Sequence, residues 1–180
     1  MAEAAEAAEV SRATAYRYFP TQDDLVSEAI LELTLDGTGI LGVGGLVEEI
    51  HRLVDSTADD AERVGVVVRR SAEWTYENQR WLRRNLRSSL AGLASEHGGY
   101  RRPGHRREWI DLATAALGDR VSAAGLAQLN AALSALMGVE AIIALVDVGG
   151  YDRTTVLDTL QWAARGLTEA ALREAASTAG

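Results

Sequence analysis

The chain has no cysteine and no lysine, and only two prolines and one phenylalanine among its 180 residues. Without cysteine there is no disulfide scaffold, no thiolate metal site and no cysteine nucleophile. Without lysine a P-loop, a Schiff base and a lysine general base cannot be built. Ala and Leu are abundant while Val and Ile cluster only locally, which favours helices over sheets, so an all-α fold is expected. The size suits one compact domain, or a small domain joined to a larger one. The N-terminus, Met1-Ala2-Glu3-Ala4, has no basic-then-apolar leader, so a cytoplasmic location is expected. The most apolar run, Leu126 to Val148, is broken by Gln128, Asn130, Glu140 and Asp147, which fits a buried interface helix and no membrane span.

The formal charge is −8 overall, but its distribution carries more information: −5 over 1–33, −6 over 34–62, +8 over 63–107 and −5 over 108–180. Bulk attraction to nucleic acid is disfavoured, while a local positive patch can still bind it. The arginines at 80–87 and 101–107 are such a patch. Pairing with the acidic flanks is their simpler role, and an anionic partner is the rival.

Hydrophobic spacing predicts helices at 2–8, 12–18, 22–33, 46–55, 61–77, 79–95, 106–117, 122–147 and 153–176. Ser11 caps the second, and Pro20 stops it. Thr21 caps the third with Asp24 as capping-box partner, and Leu25, Ala29, Ile30 and Leu33 follow at helical spacing. Residues 37–45 are glycine-rich and read as a linker between two domains. Their G-x-G-x-x-G spelling lacks the flanking strand that a dinucleotide site needs. This divides the chain into a helix-turn-helix region at 1–36, the linker, and a larger helical domain at 46–180.

Glu9-Val10-Ser11 between two short helices has the layout of a helix-turn-helix, whose second helix must be narrow and polar to enter a major groove. Small Ala13 allows close approach. Thr14 and Tyr16 offer hydroxyls to phosphate, and Arg12 and Arg17 can reach phosphate or guanine edges. Phe19 suits a core anchor.

The run Ala5-Glu6-Ala7-Ala8-Glu9-Val10-Ser11-Arg12-Ala13-Thr14-Ala15-Tyr16-Arg17-Tyr18-Phe19-Pro20-Thr21-Gln22-Asp23-Asp24-Leu25 resembles the DNA-binding region of TetR-family transcriptional regulators. Arg106-Arg107-Glu108-Trp109-Ile110 and Trp162-Ala163-Ala164-Arg165 are similar to segments of some members' regulatory domains. The resemblance implies a ligand-responsive regulator, a repressor that binds a palindromic operator as a homodimer. Ser11, Arg12, Ala13, Thr14, Tyr16, Arg17 and Tyr18 would then face DNA, with Arg17 and Arg12 reading bases. The dimer would form through the helices near 122–147 and 153–176, whose apolar surface exceeds what one small helical domain covers.

Three positions depart from the family pattern: Glu9 stands where glycine is usual, Gln22 where lysine is frequent, and the family's first helix would lie upstream of Met1. A longer natural start carrying basic residues is therefore expected.

For the effector, Trp74, Trp81 and Trp109 are candidate cavity walls, with Tyr76 and Tyr100, although core packing accounts for the same aromatics. Glu140 shares a face with Leu133, Leu136, Met137 and Ile143. A carboxylate there calls for an arginine, a cationic or hydrogen-bonding effector, or partial solvent access. His51, His97 and His105 lack metal-ligand spacing, and no catalytic triad or carboxylate pair can be picked out, so neither metal, cofactor nor enzymatic activity is expected. The alternative function is a helical small-molecule-binding protein without DNA binding.

Overall fold

The structure is a computed structural model that describes residues 1–22, 24–25, 43–93 and 105–178, and every element among them is helical. In chain order these are α1 (Ala2–Ala7), α2 (Arg12–Tyr18), α3 (Val43–Ser56), α4 (Asp60–Glu77), α5 (Gln79–Leu93), α6 (His105–Thr114), α7 (Ala123–Leu136), α8 (Val139–Ile142) and α9 (Arg153–Thr178). A 3₁₀ turn, Ala115–Leu117, follows α6, and α8 continues as a π turn, Ile143–Val148. The body of the helix expected at 22–33, residues 37–42 of the expected linker, and His97 and Tyr100 lie outside the described residues.

The chain forms two compact units. One comprises Met1–Gly44 with Arg83–Arg101, the other Gly45–Leu82 with Arg102–Gly180. Gly44 and Gly45, read as linker, lie in the first turn of α3. Glycine is tolerated there because the first amides of a helix make no intrahelical bond in any case.

The second unit is built on α4 against α9. Asp59 caps α4 by accepting from the Glu62 amide at 2.8 Å. Val64, Val67, Val68 and Ala72 then recur on one face and are buried. Opposite them, α9 buries Val156, Leu157, Leu160 and Ala164, and each large aliphatic side chain removed from water contributes about 1.5–3 kcal/mol. The two helices approach closely at Gly65, where a β-carbon would lie 2.6 Å from the Arg165 side chain. Leu46 and Ile50 of α3, Trp109, Ile110 and Ala113 of α6, Leu117 after it, Leu129 and Leu133 of α7, and Met137 and Ile142 beyond it are buried in the same unit. Buried Arg63 ties the start of α4 to the end of α6, donating to the carbonyls of Thr57 at 3.0 Å and Ala113 at 3.3 Å and pairing with Asp60.

The single helix expected over 122–147 is corrected by the structure: α7 ends at Leu136, and the axis turns by 56° into α8 and its π extension. The cause is Gly138, whose φ of 106° and ψ of 177° cannot continue a helix. No single helix among the described residues is long and apolar enough to cross a membrane.

Candidate functional site

The first site lies in the N-terminal unit. Alanine and glutamate carry α1 because both are strong helix formers, and the chain then reverses within three residues. The Glu9 amide donates to the Glu6 carbonyl at 3.1 Å and the Val10 amide to the Ala5 carbonyl at 2.9 Å. The turn requires a left-handed residue, and it is Glu9, with φ 53°. Glycine adopts that conformation without steric penalty and glutamate does not, so the turn is strained at Glu9.

Ser11 caps α2, its hydroxyl accepting from the Thr14 amide at 3.1 Å and lying 2.9 Å from the Thr14 hydroxyl. Ala5 and Ala15 are the buried residues of the two helices, so α1 and α2 are braced through small side chains. The rest of α2 is turned outward: Ser11, Arg12, Ala13, Tyr16, Arg17 and Tyr18 are exposed, and Thr14 is half-buried by its bond to the cap. The Arg17 guanidinium sits 5.2 Å from the centre of the Tyr18 ring, a cation–π contact that holds it beside the helix end. Phe19, expected as a core anchor, is half-buried. Beyond Pro20 the expected capping box forms in full: the Asp24 amide donates to the Thr21 hydroxyl at 3.1 Å and the Thr21 amide to the Asp24 carboxylate at 2.9 Å.

The arginines divide into two sets. Several of α4 and α9 are held by carboxylates: Arg69 by Asp158 at 2.6 Å, Arg70 by Glu49 at 2.7 Å, Arg165 by Glu62 at 3.2 Å and Arg153 by Glu77 at 3.0 Å. Asp158 raises the Arg69 pKa by its hydrogen bond, against the opposing effect of burial. On α5, by contrast, Arg80, Arg84 and Arg87 are exposed and form no ion pair with any described residue. No family model, curated protein or solved structure matches this chain.

The effector candidates lie in the second unit. Trp74 and Trp109 meet edge to face, with ring centres 6.5 Å apart and planes at 81°. Trp109 is buried, whereas Trp74 and Trp81 are half-buried. Glu140 accepts from Arg106 Nη2 at 3.1 Å, and the other terminal nitrogen of Arg106 donates to the Ser134 carbonyl at 3.0 Å. Glu140 is thus paired with an arginine and 38% exposed, and the bend after Leu136 removes the shared face with Leu133 and Leu136 that a continuous helix would have given it.

A half-open groove of about 550 Å³ runs between α7 and α9, floored by Leu129, Ala132, Leu167 and Ala171, with Arg120 and Glu174 at its rim. None of Trp74, Trp81, Trp109 or Glu140 lines it. Sequence reasoning missed this groove because alanines carry no chemical signature. Among the described residues no three His, Asp or Glu side chains are placed to hold a metal ion.

Proposed function

We propose that this chain is a ligand-responsive, DNA-binding transcription regulator of the TetR type, a cytoplasmic repressor that binds a palindromic operator as a homodimer. The observation that carries the proposal is α2: a capped two-turn helix that buries Ala15 and turns Arg12, Ala13, Tyr16, Arg17 and Tyr18 to solvent. That is the shape and chemistry a major groove admits, with Arg17 and Arg12 reading base edges and Thr14 and Tyr16 positioned for phosphate.

Pairing of two copies is supported by apolar side chains left outside the core: Val148 at 84% exposed, Trp162 at 76% and Tyr151 at 52%. Val156 and Leu160 of α9 are buried within their own unit and are not available to a partner. Two recognition helices about 34–36 Å apart would read successive half-sites, and an effector would act by favouring another separation. Trp74, Trp81, Trp109 and Glu140 are the candidate effector contacts.

The test is a titration of the protein, expressed from its full reading frame, against duplex DNA from upstream of its own gene and against a scrambled duplex. Selective binding is expected, and Arg17→Ala should cost about 1–3 kcal/mol and relax preference at one base position. Equal affinity for both duplexes, or none for either, overturns the proposal.

A further inference from the structure

We infer that Arg84 and Arg87 of α5 form a second DNA contact, a clamp on the phosphate backbone outside the helix-turn-helix. The inference rests on the DNA-binding function proposed above and extends it to a helix that the sequence places some sixty residues further along the chain. Three observations converge on it.

First, α5 contains four arginines and no carboxylate, so nothing on the helix itself neutralises them. Arg84 and Arg87 are three residues apart, on one face and about 4.5 Å apart along the axis. Both are exposed and form no ion pair with a described residue, whereas the arginines of α4 and α9 that flank the core are held by acids. Second, the opposite face of the helix is turned inward, with Asn85 buried and Leu82 and Leu86 half-buried. The arginine face is therefore presented by a seated helix. Third, Arg83–Arg101 belongs to the same compact unit as α1 and α2. Residues 1–44 carry only Arg12 and Arg17 as cations, so Arg84 and Arg87 supply positive charge that the recognition segment lacks.

The chemistry favours phosphate of a nucleic acid over a membrane. Binding in a lipid interface requires an apolar face beside the cations, and among the described side chains of α5 Leu90 is the one exposed leucine, Leu82 and Leu86 being turned inward. Arginine presented on a rigid helix matches phosphate oxygens through two-point hydrogen bonding. Such contacts position the protein without reading sequence.

Fluorescence anisotropy of labelled upstream and scrambled duplexes, repeated over a salt series, tests the inference with the wild type, the double variant Arg84→Ala/Arg87→Ala, and Arg84→Lys/Arg87→Lys. Each phosphate contact contributes about 0.9 to the slope of log affinity against log salt, so the alanine variant should lose about 1.8. Between about 50 and 200 mM salt the wild type should then weaken about 12-fold more than the variant. The loss should be equal on both duplexes and the selectivity ratio unchanged, while the lysine variant keeps the wild-type slope.

A selective wild type whose slope the alanine variant reproduces overturns the clamp and leaves the regulator standing. A wild type that binds neither duplex overturns both. Binding to vesicles containing anionic lipid, lost in the alanine variant while DNA binding is kept, overturns the clamp in favour of a membrane contact. Thermal unfolding of the variants checks that the helix stays folded, as expected for exposed side chains on its outer face.

Discussion

Gly138→Ala tests the bend between α7 and α8 most sharply. At φ 106° and ψ 177° the residue occupies a region essentially confined to glycine, and forcing a β-carbon into it costs about 1–3 kcal/mol. That carbon would also stand 2.7 Å from the Arg106 guanidinium carbon and 2.9 Å from a Glu140 carboxylate oxygen. Arg106 would have to leave both the Ser134 carbonyl and Glu140, and since each side chain of the pair is about one-third exposed (34% and 38%), the loss is about 1 kcal/mol after solvent screening.

The sum is about 2–4 kcal/mol, which for a chain of this size lowers the midpoint of thermal unfolding by about 5–15 °C. Urea unfolding followed by far-UV circular dichroism gives the number, and the same substitution in an Arg106→Ala background separates its parts. There the penalty should shrink by about 1 kcal/mol, because the displaced side chain is already absent. Gly166, inside α9, is the control of opposite sign: a β-carbon there would meet nothing within 4 Å, so Gly166→Ala should stabilise by about 0.5–1 kcal/mol. A Gly138→Ala variant as stable as the wild type, or one equally penalised in both backgrounds, refutes the assignment of the bend to glycine and Arg106.

Two further substitutions probe helix ends. Glu9→Gly should relieve the left-handed strain at φ 53°, a net gain of about 0.5–1 kcal/mol in the turn, read as about two- to five-fold slower exchange of the Val10 amide held by Ala5. Glu9→Ala keeps the strain and should give no such gain, so equal effects from the two would sink the idea. At the start of α9, Asp152 accepts from the Thr155 amide at 2.8 Å, and that bond, followed by the Thr155 hydroxyl, holds its carboxyl below the ordinary 3.8. A depressed folded value means the stabilisation is full above the unfolded value and lost as pH falls through the folded one. The wild type should therefore exceed Asp152→Asn in urea midpoint near neutrality, and the gap should close below about pH 4; a gap that widens with acidity contradicts the cap.

Local rules made much of the fold legible. Ser11 and Asp59 mark helix starts through side-chain acceptors close to the backbone they cap, and the aliphatic spacing of Val64, Val67, Val68 and Ala72 needs no tertiary information to indicate a buried face. The bend at Gly138 was not legible for the converse reason. Apolar residues continue at helical spacing on both sides of it, and Arg106, whose guanidinium packs against Gly138, arrives from a different helix. At the candidate site, α2 was readable as a short helix because Ser11 caps its start and Pro20 stands just past its end. Glu140 stood out as a carboxylate in need of an arginine, an effector or solvent, and the sequence did not say that Arg106 of another helix would meet it. The groove between α7 and α9 comes from the shapes of two backbones that approach over alanines, and no residue along either helix signals it.

Charge shows the same limit most clearly. A net −8 disfavours nucleic acid only if every cation and anion counts equally at the surface. Arg69, Arg70, Arg153 and Arg165 are each matched to a carboxylate within 3.3 Å, so beyond a Debye length of about 8–10 Å those pairs nearly cancel. What a polyanion meets is set by cations that remain uncompensated on one helix face. Arg12 and Arg17 on α2 and Arg84 and Arg87 on α5 are exposed on helices that themselves contain no acid. A protein acidic in total is thereby compatible with positive potential along those two helices, and the sign of the sum is a poor guide to what either of them binds.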